Sequence, residues 1–236
     1  MPLKLQRTKK RSLIASLVYR AKLLPLARKG KLKLFLDLEW IFERLAHEAS
    51  YEFYPSDEHP MRRQGVEHIL QFIEPDHVVL DLGCSRGEIT SKVAEKARRV
   101  VGVDHSEQAI QIARRFSKEN LEYFVGDADE FLAKSDEPFD VLILSHILEH
   151  LDDPKGLLLH YKDRFRFIYI EVPDIEKTIF NKMRIELGSP LVYTDADHIW
   201  EFDRAEMKRM IAECALSIRN EDFRFGVQRY WCTTGK

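Results

Sequence analysis

Cysteine is scarce: the 236-residue chain has three, Cys84, Cys214 and Cys232, and no Cys-x-x-Cys pair. So sparse and odd a set excludes a disulfide scaffold and reads as free thiols in a reducing compartment, which places the protein in the cytoplasm. Long apolar runs are missing too. No stretch approaches the roughly 18–20 residues that cross a bilayer. Arg20 and Lys22 interrupt any signal-peptide core, and no A-x-A-like cleavage site stands out. Internal repeats and low-complexity tracts are absent, so solenoid and collagen-like architectures are excluded.

Acid is absent from residues 1–33, which hold eleven Lys and Arg and leave 26 basic against 39 acidic residues in the remainder. An acidic body argues against a groove that tracks phosphates, so no nucleic-acid partner is expected. Within the basic arm, Leu13, Ile14, Leu17 and Val18 fall on one helical face, followed by Leu23, Leu24 and Leu26. A basic amphipathic helix suits the anionic inner face of a membrane. Packing on a partner subunit, as in a homodimer, and service as an organellar transit peptide are the other readings open to it.

The rest divides into an N-terminal arm and helical cap, residues 1–74, and a larger domain, residues 75–236. The periodicity predicts an amphipathic helix over 36–49 carrying Trp40, Ile41, Phe42 and Leu45. An aromatic-acidic loop with Tyr51, Phe53, Tyr54, Asp57 and Glu58 follows, then a helix opened by Pro60 and running to about Phe72. From His77 short apolar strands alternate with helices: strands over 77–82, 99–103, 121–125, 139–145 and 167–172, helices over 87–97, 107–117, 130–134 and 155–164. That alternation indicates a doubly wound, mainly parallel α/β sheet. Residues 173–200 lack a clean period and read as an insertion. A helix over 204–215 and two strands around Phe225-Gly226 close the chain.

The first strand ends in Val79-Leu80-Asp81-Leu82-Gly83-Cys84-Ser85-Arg86-Gly87 and runs straight into a helix. Small residues at 83, 85 and 87 let the backbone turn sharply and approach a ligand closely. The next strand ends in Asp104, 23 residues after Asp81, where a carboxylate can accept hydrogen bonds from both hydroxyls of a ribose. A nicotinamide dinucleotide and another nucleoside cofactor both remain open on these features. Asp81 immediately before the turn is atypical for a loop that wraps a pyrophosphate. Gly126-Asp127-Ala128-Asp129 ends the third strand and offers a carboxylate to an exocyclic amine. Ser145-His146-Ile147-Leu148-Glu149-His150 follows the fourth.

In this order, over roughly residues 75–175, the motifs resemble those of class I S-adenosylmethionine-dependent methyltransferases of the type 11/12/23 group. The resemblance implies a Rossmann-like, seven-stranded sheet with one antiparallel strand. It implies S-adenosyl-L-methionine as cofactor and S-adenosyl-L-homocysteine as product. It places Asp81, Gly83, Cys84, Ser85 and Gly87 in the loop beneath the methionine part, Asp104 and the neighbouring His105 at the ribose, Asp127 and Ala128 at the adenine, and Ser145 and His146 beside the methionine end. Ser85 stands where the family more often has glycine. His59-Pro60-Met61-Arg62 is similar to a segment of quinone-biosynthesis O-methyltransferases whose arginine pairs with the cofactor carboxylate, which assigns that contact to Arg62.

His146-Ile147-Leu148-Glu149-His150 also matches the H-x-x-E-H pattern of inverted zinc proteases. It directly follows a sheet strand within the ordered series, where His-x-Leu-Glu-His is ordinary, so no metal is expected. For the acceptor, Asp197-His198-Ile199-Trp200-Glu201-Phe202 resembles sugar- and surface-glycan-modifying members of the group. An alcohol must lose a proton to be methylated, and His198 is the base expected to take it, oriented by Asp195 or Asp197. A cell-surface or lipid-linked glycan is the first acceptor class this suggests, and a quinone precursor or other small metabolite the second. A non-catalytic cofactor-binding scaffold is the alternative of another kind.

Overall fold

The computed structural model describes residues 13–55, 58–116, 118–135, 138–195 and 197–235. The first twelve residues of the basic arm, Asp57 of the aromatic-acidic loop and Ser117 at the end of one expected helix lie outside them. The N-terminal portion comprises α1 (Leu13–Val18), a 3₁₀ turn (Tyr19–Leu23), α2 (Arg28–Phe53) and α3 (Pro60–Ile69). Then come β1 (Val78–Leu82), α4 (Glu88–Val93), β2 (Arg99–Asp104), α5 (Glu107–Ala113), β3 (Leu121–Val125), α6 (Ala128–Leu132), β4 (Val141–Ser145), α7 (Pro154–Tyr161) and β5 (Phe167–Pro173). After β5 lie α8 (Ile179–Glu186), α9 (Arg204–Glu213), β6 (Ser217–Asp222) and β7 (Val227–Thr233).

The strands form a seven-stranded sheet in the order β3-β2-β1-β4-β5-β7-β6. The pairs from β3 to β5 are parallel, and β7 runs antiparallel to both β5 and β6. This is the doubly wound sheet that the strand–helix alternation implies, with the one reversed strand that the family resemblance implies. Alternation along each strand sends neighbouring side chains to opposite faces. Val78, Leu80, Leu142, Leu144, Ile168 and Ile170 join one core with Leu158, Met207 and Ile211 of α7 and α9. Val79, Val141, Ile143 and Tyr169 join the other, with Ile69 of α3 and Val93 of α4. Both faces are therefore sealed, the condition under which a parallel sheet is stable. The tail hairpin turns through Phe225 and Gly226, both left-handed at φ 62° and 80°.

Several elements differ from the sequence reading at their ends. Helices α4 and α5 are shorter than periodicity suggests, and α2 is longer, starting at Arg28. Its apolar stripe is not core: Leu38, Ile41, Phe42 and Leu45 remain exposed, and only Leu36 of α2 is buried. Polar ties hold the helix instead, and the insertion after β5 supplies them. Arg184 of α8, wholly buried, donates from Nε and Nη2 to the Leu36 carbonyl at 3.2 and 2.9 Å and from Nη1 to Asn181 at 2.6 Å, and pairs with Glu39. Lys177 pairs with Glu43 at 2.7 Å, and Ser189 donates to Asp37 at 2.6 Å. No helix among the described residues is long and apolar enough to cross a membrane.

Arg184→Ala removes a buried cation and takes from the buried Asn181 Oδ1 its donor, so a loss of about 3 kcal/mol is expected. Urea denaturation measures the total. Amide exchange should accelerate most across residues 28–53 and little in β1 or β4.

Candidate active site

The turn after β1 is built from left-handed backbone at Gly83, Ser85 and Gly87, with φ of 71°, 48° and 76°. Glycine is needed at 83 for space as well as for φ, because a Cβ there would lie 2.1 Å from Ile147 Cδ1. The turn is laced to the neighbouring strand: Gly83 N and Cys84 N both donate to the Val103 carbonyl, at 2.8 and 3.1 Å. Asp104, at the end of β2, accepts from Ser85 N at 2.9 Å and from Ser106 N at 2.8 Å, one through each carboxylate oxygen. Each oxygen keeps a second acceptor site, so the carboxylate that shapes the loop can still take two ribose hydroxyls. His105 beside it is exposed.

Asp81 lies under the turn, buried, with Thr90 Oγ1 donating to it at 2.6 Å. Burial, with Asp104 nearby, pushes its carboxyl up to about 7 against the opposing Thr90 bond. Its contact inside the protein is to α4, so it braces the loop. Cys84 is buried beneath Gly102, and burial raises its thiol far above the ordinary range, leaving it an inert packing group. Asp127 caps α6, accepting from Asp129 N at 2.7 Å, with buried Ala128 next to it. Arg62 reaches the same turn, with Nη1 on Glu88 at 2.9 Å. The structure thus gathers Asp81, Gly83, Ser85, Gly87, Asp104 and Arg62 around one loop, and gives Arg62 a protein carboxylate as partner.

Beyond β4 the chain passes through His146, left-handed at φ 56°, into a 3₁₀ turn over Leu148–His150. His146 Nδ1 lies 3.0 Å from Glu149 Oε1 and Nε2 3.4 Å from Glu171 Oε1. Desolvation opposes protonation of this ring, but the two carboxylates outweigh it and raise its pKa. Ser145 Oγ donates to Glu171 at 3.4 Å. Glu171 also accepts from Tyr169 Oη at 2.8 Å and Arg229 Nε at 2.5 Å. Burial would raise Glu171; the His146 and Arg229 contacts override it and hold the carboxyl at about 2.

Alongside lies a cavity of about 990 Å³ between the N-terminal helices and the insertion, lined by Trp40, His47, Tyr51, Met61, His146, His150, Val192 and His198 among others. His198 occupies this wall as the acceptor motif suggests, with Asp195 and Asp197 close by, and its ring also bonds to a third carboxylate. Nδ1 lies 3.0 Å from Glu201 Oε1 and 3.0 Å from Thr194 Oγ1. Asp195 pairs with Arg44 at 2.8 Å, and Asp197 Oδ2 lies 3.5 Å from His150 Nδ1. The chain from Asp197 turns back toward the β4 end, so the carboxylate three positions beyond His198 bonds to its ring. Glu201 was within the quoted motif, but its role depends on that bend. His47 and Arg44 carry no local motif and escaped the sequence reading, which placed Trp40 on a helix face without giving it a role in the site. Among the described residues, two clusters bring potential metal ligands together, Glu149 with His150 and His198, and Asp195 with Asp197 and His198.

The depressed Glu171 pKa has a signed consequence. Its ionic contacts contribute stability fully above the ordinary carboxylate pKa, and that contribution is lost as pH falls from about 4.5 toward about 2. Glu171→Gln should cost about 3 kcal/mol at pH 7 by leaving Arg229 underpaired. In urea titrations the gap between variant and parent should shrink at pH 3.5.

Residues 79–162 match the methyltransferase domain family model. The ubiquinone biosynthesis O-methyltransferase of Saccharophagus degradans is 32% identical over 120 residues, covering 48% of this chain and 50% of that protein. The enzyme of that name from Hahella chejuensis is 32% identical over 124 residues, 50% of this chain and 51% of its own length. The chain thus spans about half the length of the curated relatives it matches. Among solved structures, the magnesium protoporphyrin IX methyltransferase of Synechocystis, crystallised with bound S-adenosylhomocysteine, superposes with a TM-score of 0.60 at 16% identity, over 82% of this chain and 94% of that one. A SAM-dependent methyltransferase from Archaeoglobus fulgidus gives 0.56 at 19% identity, over 80% and 99%. With the sheet order, the left-handed turn and the β2 carboxylate already in place, these matches identify the chain as carrying a class I, S-adenosylmethionine-dependent methyltransferase domain.

Proposed function

We propose that this protein is an O-methyltransferase acting on a hydroxyl of a small aromatic acceptor, of the quinone-precursor type. The observation that carries the reading is the cavity itself. It runs from His146, next to the cofactor loop, to His198, and its walls include Trp40, Tyr51, Met61 and Val192. A flat apolar ring suits such walls, and a few convergent polar groups suit its hydroxyl. The names of the curated relatives, ubiquinone biosynthesis O-methyltransferases, support a phenolic acceptor more than the glycan that the Asp197–Phe202 motif suggests.

When bound, adenosylmethionine supplies a methyl group already activated on a sulfonium sulfur. The chain's residues therefore have to bind, align and handle one proton. Asp104 suits the ribose, since its carboxylate is held by two backbone N–H groups and keeps open lone pairs. Gly83, Ser85 and Gly87 let the backbone approach the cofactor closely. Methylation of a hydroxyl would release its proton, which a group at the cavity wall would have to draw off. We assign the acceptor hydroxyl to His198, whose ring is aligned by Glu201.

Titration calorimetry with adenosylhomocysteine tests the first half: Asp104→Ala should weaken binding about tenfold or more for each charge-assisted bond lost. Asp104→Asn, which keeps one of the two loop acceptors, should be milder. Unchanged affinity in both variants would remove the site. A methyl-transfer screen with labelled donor tests the second half. Prenylated or simple phenols should be methylated, whereas turnover only on glycans or nucleotide sugars would overturn the aromatic acceptor, and no turnover on any would leave a binding scaffold.

We also place the N-terminal arm on an anionic membrane surface. Leu13, Ile14, Leu17, Val18 and Leu23 are all at least 64% exposed beside Arg20, Lys22, Arg28 and Lys29. Basic residues near such a surface contribute about 1 kcal/mol each. The full chain should co-sediment with phosphatidylglycerol vesicles and not with phosphatidylcholine ones, and Leu13→Glu with Leu17→Glu should abolish it. Sedimentation that survives both changes would refute the arm's role.

A further inference from the structure

We propose that the outward face of α2 is a dimerisation surface, on which a second copy of this chain docks with its own α2 antiparallel to the first. The helix carries different tasks on its two sides. Trp40, Arg44 and His47 line the acceptor cavity, and Leu36, Asp37, Glu39 and Glu43 make the ties to the insertion after β5. Leu38, Ile41, Phe42 and Leu45 lie on the other side and are 37%, 39%, 64% and 53% exposed. At helical spacing these four project within about 100° of one another, so they form one stripe. A contiguous exposed apolar stripe marks an interaction surface, as scattered surface leucines do not.

The charges at the two ends of the stripe identify its occupant. Residues 28–33 hold Arg28, Lys29, Lys31 and Lys33 with no acid, and residues 45–53 hold Glu48 and Glu52 with no Lys or Arg. The midpoint of the stripe falls between Ile41 and Phe42. A two-fold axis there sets Leu38 against the partner's Leu45 and Ile41 against the partner's Phe42, and each contact recurs with the roles exchanged. The same axis sets Lys31 against the partner's Glu52, because the two lie equally far from the midpoint. Lys31 gives one of its three ammonium donors to the Lys22 carbonyl, at 3.0 Å, and keeps two. Antiparallel alignment also brings opposite ends of the two helix dipoles together, whereas a parallel pair would stack basic end on basic end. An anionic lipid surface fits this face less well, since the exposed Glu48 and Glu52 would meet like charge. The lipid-facing role stays with the arm ahead of α2.

Docking in this register leaves both acceptor cavities accessible, because each lies on the opposite side of its α2 from the partner. It also adds apolar packing to a helix that a single chain holds mainly by polar ties, and so steadies the wall that carries Trp40, Arg44 and His47. The inference stands whichever acceptor the cavity takes.

Sedimentation equilibrium of the full-length chain across a dilution series is the test. The parent should sediment with twice the mass of one chain. Phe42→Glu with Leu45→Glu should return it to the mass of one chain, with circular dichroism and adenosylhomocysteine affinity unchanged as the signs that the variant is folded. Lys31→Glu and Glu52→Lys should each weaken self-association about threefold or more, and the two combined should restore it, because the exchanged charges attract again. A parent that stays monomeric at every concentration, a dimer indifferent to Phe42→Glu with Leu45→Glu, or charge variants whose effects add instead of cancelling would overturn the proposal. Two other occupants have their own signatures, and either overturns it as well. A monomeric parent that dimerises only once residues 1–12 are deleted would assign the stripe to that segment. A monomeric parent whose co-sedimentation with phosphatidylglycerol vesicles is lost on Phe42→Glu with Leu45→Glu would assign it to the membrane.

Discussion

The strand order reverses between β1 and β4, and the site depends on that reversal. Helices leaving adjacent parallel strands on opposite sides of a sheet cannot fill the space directly above the carboxyl ends, so a crevice remains there. Here the Gly83–Gly87 turn leaves β1 and the His146–His150 turn leaves β4, and the two strands are direct neighbours in register from Val79/Val141 to Leu82/Leu144. Ile147 packs against Gly83 across the gap. The two turns are therefore two rims of one opening.

Carboxylates crowd that opening. Asp81, Glu149, Glu171 and Glu201 are all buried or nearly so, and each must be compensated in a medium that solvates charge poorly. The compensation differs case by case. Asp81 leans toward the neutral acid with Thr90 as its donor, while Glu171 stays ionised between Arg229 and His146. Glu149 and Glu201 are each satisfied through one oxygen by a histidine. The uneven outcome separates groups that brace the scaffold from groups with capacity left for a ligand.

The N-terminal helices complete the acceptor cavity from the other side, and they do so through polar ties to the insertion after β5. Arg184 replaces an apolar core at the α2–α8 contact, so the apolar stripe of α2 is left facing outward. A cavity whose wall is attached in this manner draws its shape from a few charged contacts more than from the packed sheet beneath it.

Sequence alone determined the sheet and the tight turn that leaves its first strand. Strand–helix alternation, the small residues at 83, 85 and 87, and the carboxylates at 81 and 104 are local patterns, each set by backbone needs within a few residues, and they survive as written. The helix ends and the fate of the α2 stripe did not follow from periodicity, because periodicity reports a face and not what covers it. The acceptor side was legible only as fragments. His146–His150 read as a motif directly following the fourth strand, with His146 beside the methionine end, and His198 read as a base served by its nearest acids. Only the fold, by bonding Ile199 and Trp200 to the Glu149 carbonyl, brought His198 beside Glu149 and His150 and gave its ring to Glu201. Contacts between residues so far apart in the chain are chosen by packing, and no spacing along the chain encodes them.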